Sequence, residues 1–299
     1  MKQLAEALAA AQAFNQEEID RDQALTATLH TRRYTAQDRR SFQDALSRGS
    51  AVYLYATNAK ARRVWAAAFA RHVLDRFGLR SDRPRLSEPV FLITLADRRY
   101  ATADNGQEAV DLRSIAAWAR QHLAGVSFIG MIEPAYYTNV GRYLGGPARL
   151  VSWHVHVLAW GVTSDQIERR INGLNADPRF CSLVPGRLAA HARKVPQRRL
   201  PHRIFYILKS PRSRYRIFPK KRPVPNPVTG ELERVSTGAF EQRKDPLRPA
   251  ERVRLLRLMH DLYLHHLVLA GGEGRDLLAA IKSEALAPLR RREQRSPRP

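Results

Sequence analysis

Two histidines separated by a single residue, His154 and His156, are the side chains of this sequence best suited to hold a metal ion. They lie in an apolar segment, residues 153–159, whose composition favours a β-strand. Because side chains alternate along a strand, both imidazoles are expected on one face, close enough to share an ion. Two neutral imidazoles leave positions for a third protein ligand, water or a substrate oxygen. The spacing alone is equally compatible with two structural histidines.

Glu133 is the expected third ligand. It follows an apolar segment, residues 126–132, which we predict to be the strand preceding that of the histidines. If the hairpin between the two strands turns near residues 143 and 144, Glu133 lies opposite His154, at the distance of cross-strand neighbours. An exposed glutamate at the end of a strand is the alternative.

A candidate nucleophile, Tyr206, is followed three positions later by Lys209. On a helix the two side chains share a face, so the ammonium group would favour a phenolate or neutralise an attacked phosphate. On a strand they would point to opposite faces, and residues 204–208 are compatible with either element. Tyr215 is a second candidate nucleophile.

The charge of the chain predicts a polyanionic partner. Lys and Arg number 51 against 28 Asp and Glu, a formal net charge of +23 that exceeds what solubility requires. Residues 178–230 contain 14 Lys or Arg and neither Asp nor Glu, so we expect phosphate contacts there, a solvated charged face being the alternative. The candidate DNA-binding residues are Arg193, Lys194, Arg198, Arg199, Arg203, Arg212 and Arg214.

Composition narrows the class of protein. The 299 residues are 44% apolar, enough for a substantial core, and the single cysteine excludes an internal disulfide and a cysteine-based zinc cage. We find no secretory signal, no long apolar run and no clean amphipathic helix with one basic face. These features predict a cytoplasmic protein with no membrane association.

Three segments are expected to position the candidate residues. Residues 1–85 form a helical N-terminal extension, residues 86–218 a core of strands and helices, and residues 219–299 a Pro-rich linker, a C-terminal helix and a basic tail. The predicted strands are 51–56, 90–95, 126–132 and 150–160, and the predicted helices are 59–77, 111–123, 165–174 and 252–269. We also predict linkers between Pro84 and Pro89 and over 219–227, and a tail after Pro288 too polar to fold alone.

These motifs, in this order, resemble those of the single-tyrosine rolling-circle replication initiators of the His-hydrophobe-His (HUH) endonuclease superfamily. Residues 91–95 resemble the first motif of that family, residues 154–159 the second and residues 206–209 the third, so the resemblance covers about residues 89–211. It implies an α+β fold in which helices flank a central antiparallel sheet of the RRM or ferredoxin-like type. The segment 86–218 would be the endonuclease core, with helical extensions at both ends.

The resemblance also implies a reaction. Tyr206 would attack a DNA phosphate with the help of Lys209, leaving a 5′-phosphotyrosine and a free 3′-hydroxyl. A Mg²⁺ or Mn²⁺ ion bound by His154, His156 and Glu133 would polarise that phosphate. Single-stranded DNA or an origin hairpin would be the partner. Because the sequence contains no phosphate-binding Gly-x-x-x-x-Gly-Lys loop, a host helicase would unwind the strands.

Three other functions stay open at this point. A transposase of the HUH type would use the same chemistry on different DNA. A non-enzymatic, basic nucleic-acid-binding protein would need neither the tyrosine nor the histidines. A metallohydrolase would use activated water, although the His-x-His-x-Asp pattern of some such enzymes is missing because position 158 is Leu.

Overall fold

A single sheet organises the structure, a computed structural model that describes residues 2–42, 45–46, 54–79, 88–105 and 110–293. Its strands are β1 (Phe91–Ala103), β2 (Ser127–Thr138), β3 (Arg149–Trp160), β4 (Ala190–Lys194), β5 (Ser213–Pro225), β6 (Leu232–Pro246) and β7 (Val268–Gly271). They are arranged in the order β4-β1-β3-β2-β5-β6, and β7 also pairs with β2. The predicted α+β fold with a central sheet flanked by helices is confirmed.

The sheet is mixed, whereas the resemblance implied an antiparallel one. Its central pairs, β1 with β3 and β3 with β2, are antiparallel. The exception is β5, which runs parallel to β2 over a short stretch, residues 136–138 beside 214–216. A long connection between these strands, containing β3 and β4, permits the parallel pairing.

Helices flank this sheet and extend the chain at both ends. They are α1 (Lys2–Leu29), α2 (Ala36–Ser41), α3 (Ala59–Arg76), α4 (Leu112–His122), α5 (Val140–Leu144), α6 (Ser164–Ala176), α7 (Leu200–Leu208), α8 (Pro249–Met259), α9 (Leu264–Leu267) and α10 (Gly274–Glu293). The predicted helices at 59–77, 111–123 and 165–174 are confirmed as α3, α4 and α6. Asp111 caps α4, and Thr163 and Gln166 form the predicted capping box of α6.

The two faces of the sheet differ along β3. On one face Val151, Trp153, Val155 and Val157 are all buried in the apolar core. On the other face the residues change character along the strand, from the buried Leu158 and Trp160 to His156, His154 and Ser152. The second face is therefore apolar at the end of Leu158 and Trp160 and polar at the end of the two histidines.

Predictions for the C-terminal third need correction. Residues 219–225 are extended, as predicted, but they belong to β5 and pair with β6, so they are part of a hairpin rather than a linker. Proline is tolerated in such outer strands because its missing N–H can face away from the ladder. The prolines therefore led to the prediction of a linker where the structure has a hairpin.

The predicted helix at 252–269 is interrupted. It corresponds to α8, the short α9 and then β7, whose residues are all buried and pair with β2. A short buried strand and a buried helical segment have the same apolar pattern, which explains the error. The prediction for the tail was also wrong in part, because α10 continues past Pro288 to Glu293.

Several predictions concern residues outside the described part of the chain. Residues 51–53 of the predicted strand 51–56 are among them, and Tyr55 belongs to an isolated β-bridge with Tyr263 rather than to a strand. Residues 80–87, most of the predicted linker near Pro84, and residues 294–299 of the tail are also outside it. Within the described residues, no helix combines the length and the apolar character needed to cross a membrane.

Candidate active site

The three predicted metal ligands converge on the polar end of the sheet. Glu133 in β2 is the direct cross-strand partner of His154 in β3, which confirms the predicted hairpin register. The two Nε2 atoms of His154 and His156 are 3.0 Å apart, and Nε2 of His156 is 3.6 Å from Oε2 of Glu133. One ligand atom from each residue lies within 4.8 Å of the other two. The sheet thus holds two imidazoles and a carboxylate close together, and we call Glu133, His154 and His156 the metal group because they could hold an ion.

The donor atoms of this group fit a divalent cation. Two ligands at about 2.1 Å from an ion and at right angles would be about 3.0 Å apart, the separation of the two Nε2 atoms. Oε2 of Glu133 is buried and has no hydrogen-bond partner among the described residues. A buried carboxylate oxygen without a partner is costly, and coordination to a cation would satisfy it.

Hydrogen bonds orient both imidazoles toward the shared space. Nδ1 of His154 lies 3.3 Å from the carbonyl oxygen of Ser152, so this nitrogen donates and Nε2 keeps its lone pair. Nδ1 of His156 lies 2.8 Å from Oγ1 of Thr94, on the neighbouring strand β1. Partners of this kind fix the ring orientation of metal-binding histidines.

Burial keeps both histidines in the form that binds metals. It lowers the pKa of His154 despite the nearby carboxylate of Glu133, which acts in the opposite direction. Burial also lowers the pKa of His156 well below its ordinary value, and His154 and Lys209 lower it further. Both imidazoles are therefore neutral at neutral pH.

Tyr206 lies on helix α7, which packs on β2 and β3, so the helical alternative of the sequence analysis is correct. Its ring packs edge-on against the ring of His156, with a centroid distance of 5.3 Å. Burial and the charge of Glu133 raise the pKa of Tyr206 above its ordinary value, so the phenol is protonated at neutral pH. The phenol is thus next to the metal group but is not activated by the protein alone.

Lys209 follows the end of α7, and its Nζ lies 3.6 Å from the centroid of the Tyr206 ring. This is a cation–π contact rather than a hydrogen bond to the phenol oxygen. Burial lowers the pKa of Lys209. The ammonium group is positioned beside the ring of Tyr206 and faces the same space as the histidines.

Two residues that the sequence analysis missed brace the chain after Tyr206. Arg62 of α3 is buried and donates from Nη1 to the carbonyl oxygen of Leu208 at 2.6 Å. Glu18 of α1, also buried, accepts from the backbone N of Ser210 at 2.9 Å and from its Oγ at 2.7 Å. Helices of the N-terminal extension therefore fix the position of the chain that follows Tyr206.

Both bracing groups are charged. Burial alone would raise the pKa of Glu18, but Arg21, Arg62 and the hydrogen bonds from Ser210 together hold it below its ordinary value. Burial lowers the pKa of Arg62 to about 10, so its guanidinium is protonated at neutral pH. Glu18 and Arg62 thus compensate each other's charge in the interior.

A cleft of about 440 Å³ continues from the metal group across the same face of the sheet. Tyr137 and Tyr215 form one part of its wall, with their rings stacked at a centroid distance of 5.2 Å. Arg187, Arg193 and Arg203 supply positive charge to the same cleft. Tyr215, the second candidate nucleophile, therefore lies near Tyr206, and burial raises its pKa as well.

The predicted DNA-binding residues separate into groups. Arg193 and Arg203 line the cleft, and Lys194, Arg198 and Arg199 are exposed on β4 and the turn before α7. Arg212 borders the site and pairs with Glu17 at 2.9 Å. Arg214 is different, because its guanidinium is buried and pairs with Glu251 at 2.9 Å. That pairing leaves Arg214 unsuited to contact a phosphate, so this assignment needs correction.

Comparison with known proteins does not identify a family for this chain. The chain matches no protein-family model, and searches of curated proteins and of solved structures found no similar protein.

Proposed function

We propose that this chain is a metal-dependent nickase and strand transferase that attaches single-stranded DNA to Tyr206, as rolling-circle replication initiators do. The observation that carries the proposal is the placement of Tyr206 against His156, with the ring centroids 5.3 Å apart, beside two further ligand-type side chains. A nucleophile beside a preorganised cation site is the arrangement that attack on a phosphate diester requires.

His154, His156 and Glu133 are the residues that would hold the ion, Mg²⁺ or Mn²⁺. When bound, such an ion polarises a phosphoryl oxygen and stabilises the negative charge that develops on it. The hydrogen bond between Thr94 and His156 and the burial of both imidazoles keep their Nε2 atoms available for coordination.

In the proposed reaction, the phenol oxygen of Tyr206 attacks the phosphorus atom. A bond forms between them, the bond from phosphorus to the 3′ oxygen breaks, and the strand leaves with a 3′-hydroxyl. The phenol loses its proton and the departing 3′ oxygen gains one, so the step is balanced. Attack by a 3′-hydroxyl on the phosphotyrosine reverses these changes and rejoins the strand. Lys209, next to the ring of Tyr206, contributes positive charge to this space.

The basic cleft supports DNA as the substrate. Arg187, Arg193 and Arg203 line it, and the stacked Tyr137 and Tyr215 provide aromatic surface in the same wall. Cationic side chains combined with aromatic rings are the usual means of binding single strands. The net charge of +23 favours the same partner.

The test is covalent adduct formation. The purified protein is incubated with single-stranded oligonucleotides labelled at the 3′ end, the end that stays on the phosphotyrosine, and with Mg²⁺ or Mn²⁺, and the products are separated on a denaturing gel. We expect label to migrate with the wild-type protein and with Tyr215→Phe, but not with Tyr206→Phe. Tyr215→Phe is a matched control because it makes the same chemical change in the same site.

Each other outcome has a defined meaning. An adduct that persists in Tyr206→Phe and is lost in Tyr215→Phe would overturn the assignment of the nucleophile. Metal-dependent cleavage without an adduct would indicate a hydrolase that uses activated water. Binding without cleavage on single strands and hairpins alike would indicate a non-enzymatic binding protein. Formation of the adduct on transposon ends rather than on an origin would indicate the transposase alternative.

A further inference from the structure

The β5–β6 hairpin extends well beyond the sheet that it joins. Only residues 214–216 of β5 pair with β2, and β6 pairs with β5 alone among the described strands. Beyond Pro219 nearly all the residues of both strands are exposed. We call residues 219–238 the arm. Its paired strands span about 20 Å, given a rise of about 3.3 Å per residue.

The arm is a defined structure with an ordered tip. Its ladder continues to the pair Pro225 and Leu232. At the tip, Oδ1 of Asn226 accepts from the backbone N of Val228 at 2.8 Å, and the backbone N of Gly230 donates to the carbonyl oxygen of Asn226 at 2.9 Å. Gly230 has a φ of +74°, a conformation that glycine adopts without strain. The tip is thus held by its own hydrogen bonds.

The cations of the arm differ from those at the base of the hairpin. At the base, Arg216 and Arg243 both pair with Asp245. On the arm, four exposed cations have no recorded ion pair with another described residue; these are Lys220, Lys221, Arg222 and Arg234. Register places Lys221 and Arg234 on one face of the ribbon and Arg222 on the other. Positive charge is therefore available to both sides of the arm.

The arm also exposes apolar side chains at and near its tip. Val228 is 89% exposed, Leu232 71% and Val235 46%. These three are half of the exposed large hydrophobic residues of the described chain, although the arm is a small part of it. A concentration of this kind on a protruding element indicates contact with a partner.

We propose that the arm binds double-stranded DNA by lying in one of its grooves. The major groove, about 12 Å wide, accommodates a two-stranded β-ribbon, and cations on both faces of the ribbon would then meet the phosphates of both strands. Apolar residues at the tip suit contact with sugars and base edges, and proteins that bend DNA use apolar wedges of this type. The acidic side chains near the tip, Glu231 and Glu233, are fewer than the cations.

This inference rests on the proposed function and deepens it. The hairpin begins at the site, where Ser213 and Tyr215 line the space beside the metal group. A strand entering that site would lead to the arm, which would hold the duplex adjoining the single-stranded segment. The arm would thereby select a junction between duplex and single strand, such as the base of a DNA hairpin.

The test compares two charge-matched triple variants of the full chain. The arm variant is Lys220→Gln, Lys221→Gln and Arg222→Gln. The control is Arg113→Gln, Arg169→Gln and Arg275→Gln, three exposed residues outside the hairpin. Binding to a mixed-sequence DNA duplex and to a single strand is measured by fluorescence anisotropy over a range of salt concentrations, in EDTA so that no cleavage takes place.

For the duplex we expect the arm variant to bind at least tenfold more weakly, and the slope of log affinity against log salt to fall by about 2 to 3. Single-strand binding should stay within about twofold of wild type, and the control variant should bind both probes as wild type does.

Equal duplex affinity in the arm variant and wild type would overturn the proposal. So would an equal loss in arm and control variants, or an equal loss on both probes, since either indicates general charge attraction. The adduct assay on a short single strand reports on the proposed function separately, because that substrate has no duplex for the arm.

Discussion

Oγ1 of Thr94 lies 2.8 Å from Nδ1 of His156, its direct cross-strand partner. The hydroxyl fixes the ring so that Nε2 faces the other ligands. We expect Thr94→Val to weaken Mn²⁺ binding by about 10- to 100-fold, the usual cost of losing such a partner. Thr94→Ser keeps the hydroxyl and should bind nearly as wild type. Isothermal titration with Mn²⁺ measures both, and equal affinity in the valine variant would show that packing alone orients His156.

We expect the carboxylate of Glu133 to lower the stability of the protein without a metal ion and to raise it when an ion is bound. Its Oε2 is buried without a hydrogen-bond partner among the described residues, so in EDTA we expect Glu133→Gln to raise the free energy of unfolding by about 1 kcal/mol. With saturating Mn²⁺ the order should reverse, because the variant loses a ligand and the stabilisation that binding confers. Urea denaturation under both conditions measures the difference. A variant less stable than wild type in EDTA would show that the carboxylate is structural.

For Glu18 we predict that the same substitution, glutamate to glutamine, has the opposite effect on stability. Glu18→Gln removes the larger of the two carboxylate charges that compensate the buried guanidinium of Arg62, and we expect a loss of about 3 kcal/mol in the free energy of unfolding. Glu17→Gln is the matched control. The neighbouring Glu17 is half exposed and pairs with Arg212, so its loss should cost less than about 1 kcal/mol.

The bracing role of Glu18 has a second readout besides stability. At a temperature where Glu18→Gln is folded, Mn²⁺ affinity should be close to that of wild type, because no metal ligand has changed. The rate of adduct formation should fall, because Ser210 no longer fixes the chain after Tyr206. Unchanged adduct formation in the folded variant would limit Glu18 to a structural role.

Lys209 should affect the reaction without supporting the metal. The positive charge of its ammonium group lowers the pKa of both His154 and His156, so it repels positive charge at the two imidazoles. We expect Lys209→Met to slow adduct formation by about 10- to 100-fold while Mn²⁺ affinity stays equal or increases, since a repelling charge is removed. Lys209→Arg should restore part of the rate. Loss of Mn²⁺ binding in the methionine variant would assign Lys209 to folding of the site instead.

The metal group was largely predictable from sequence because its geometry is local. Strand alternation placed His154 and His156 on one face, and the length of the connection placed Glu133 opposite His154. The helix that carries Tyr206 was ambiguous over residues 204–208. A signal was nevertheless present, since Pro201 lies in the first turn of α7, where proline is favoured.

The support of the site was not predictable from sequence because it depends on distant contacts. Glu18 and Ser210 are 192 positions apart, and the sequence of α1 does not reveal that Glu18 meets Ser210. The burial of Arg214 likewise depends on Glu251 of α8. A charge run predicts affinity for phosphate as a whole, but the fold decides which arginines face solvent and which are paired internally.

The final prediction concerns acid stability of the metal-free protein. Burial lowers the pKa of His154 and of His156 below the ordinary value of 6.5, which the unfolded chain retains. As the pH falls below 6.5, the unfolded state takes up protons that the folded state does not, so folding loses stability until the pH reaches the folded pKa values. Above that window the two histidines contribute no pH dependence.

In EDTA we therefore expect wild-type stability to fall as the pH drops below about 6.5, with these histidines supplying on the order of 1 kcal/mol of the loss. The double variant His154→Gln and His156→Gln should lose correspondingly less over the same range. His265→Gln separates a further contribution, because burial lowers the pKa of His265 to about 4. A double variant that loses as much stability as wild type would mean that the two imidazoles are not held neutral by burial, and that the fold does not keep them in the form that binds a metal.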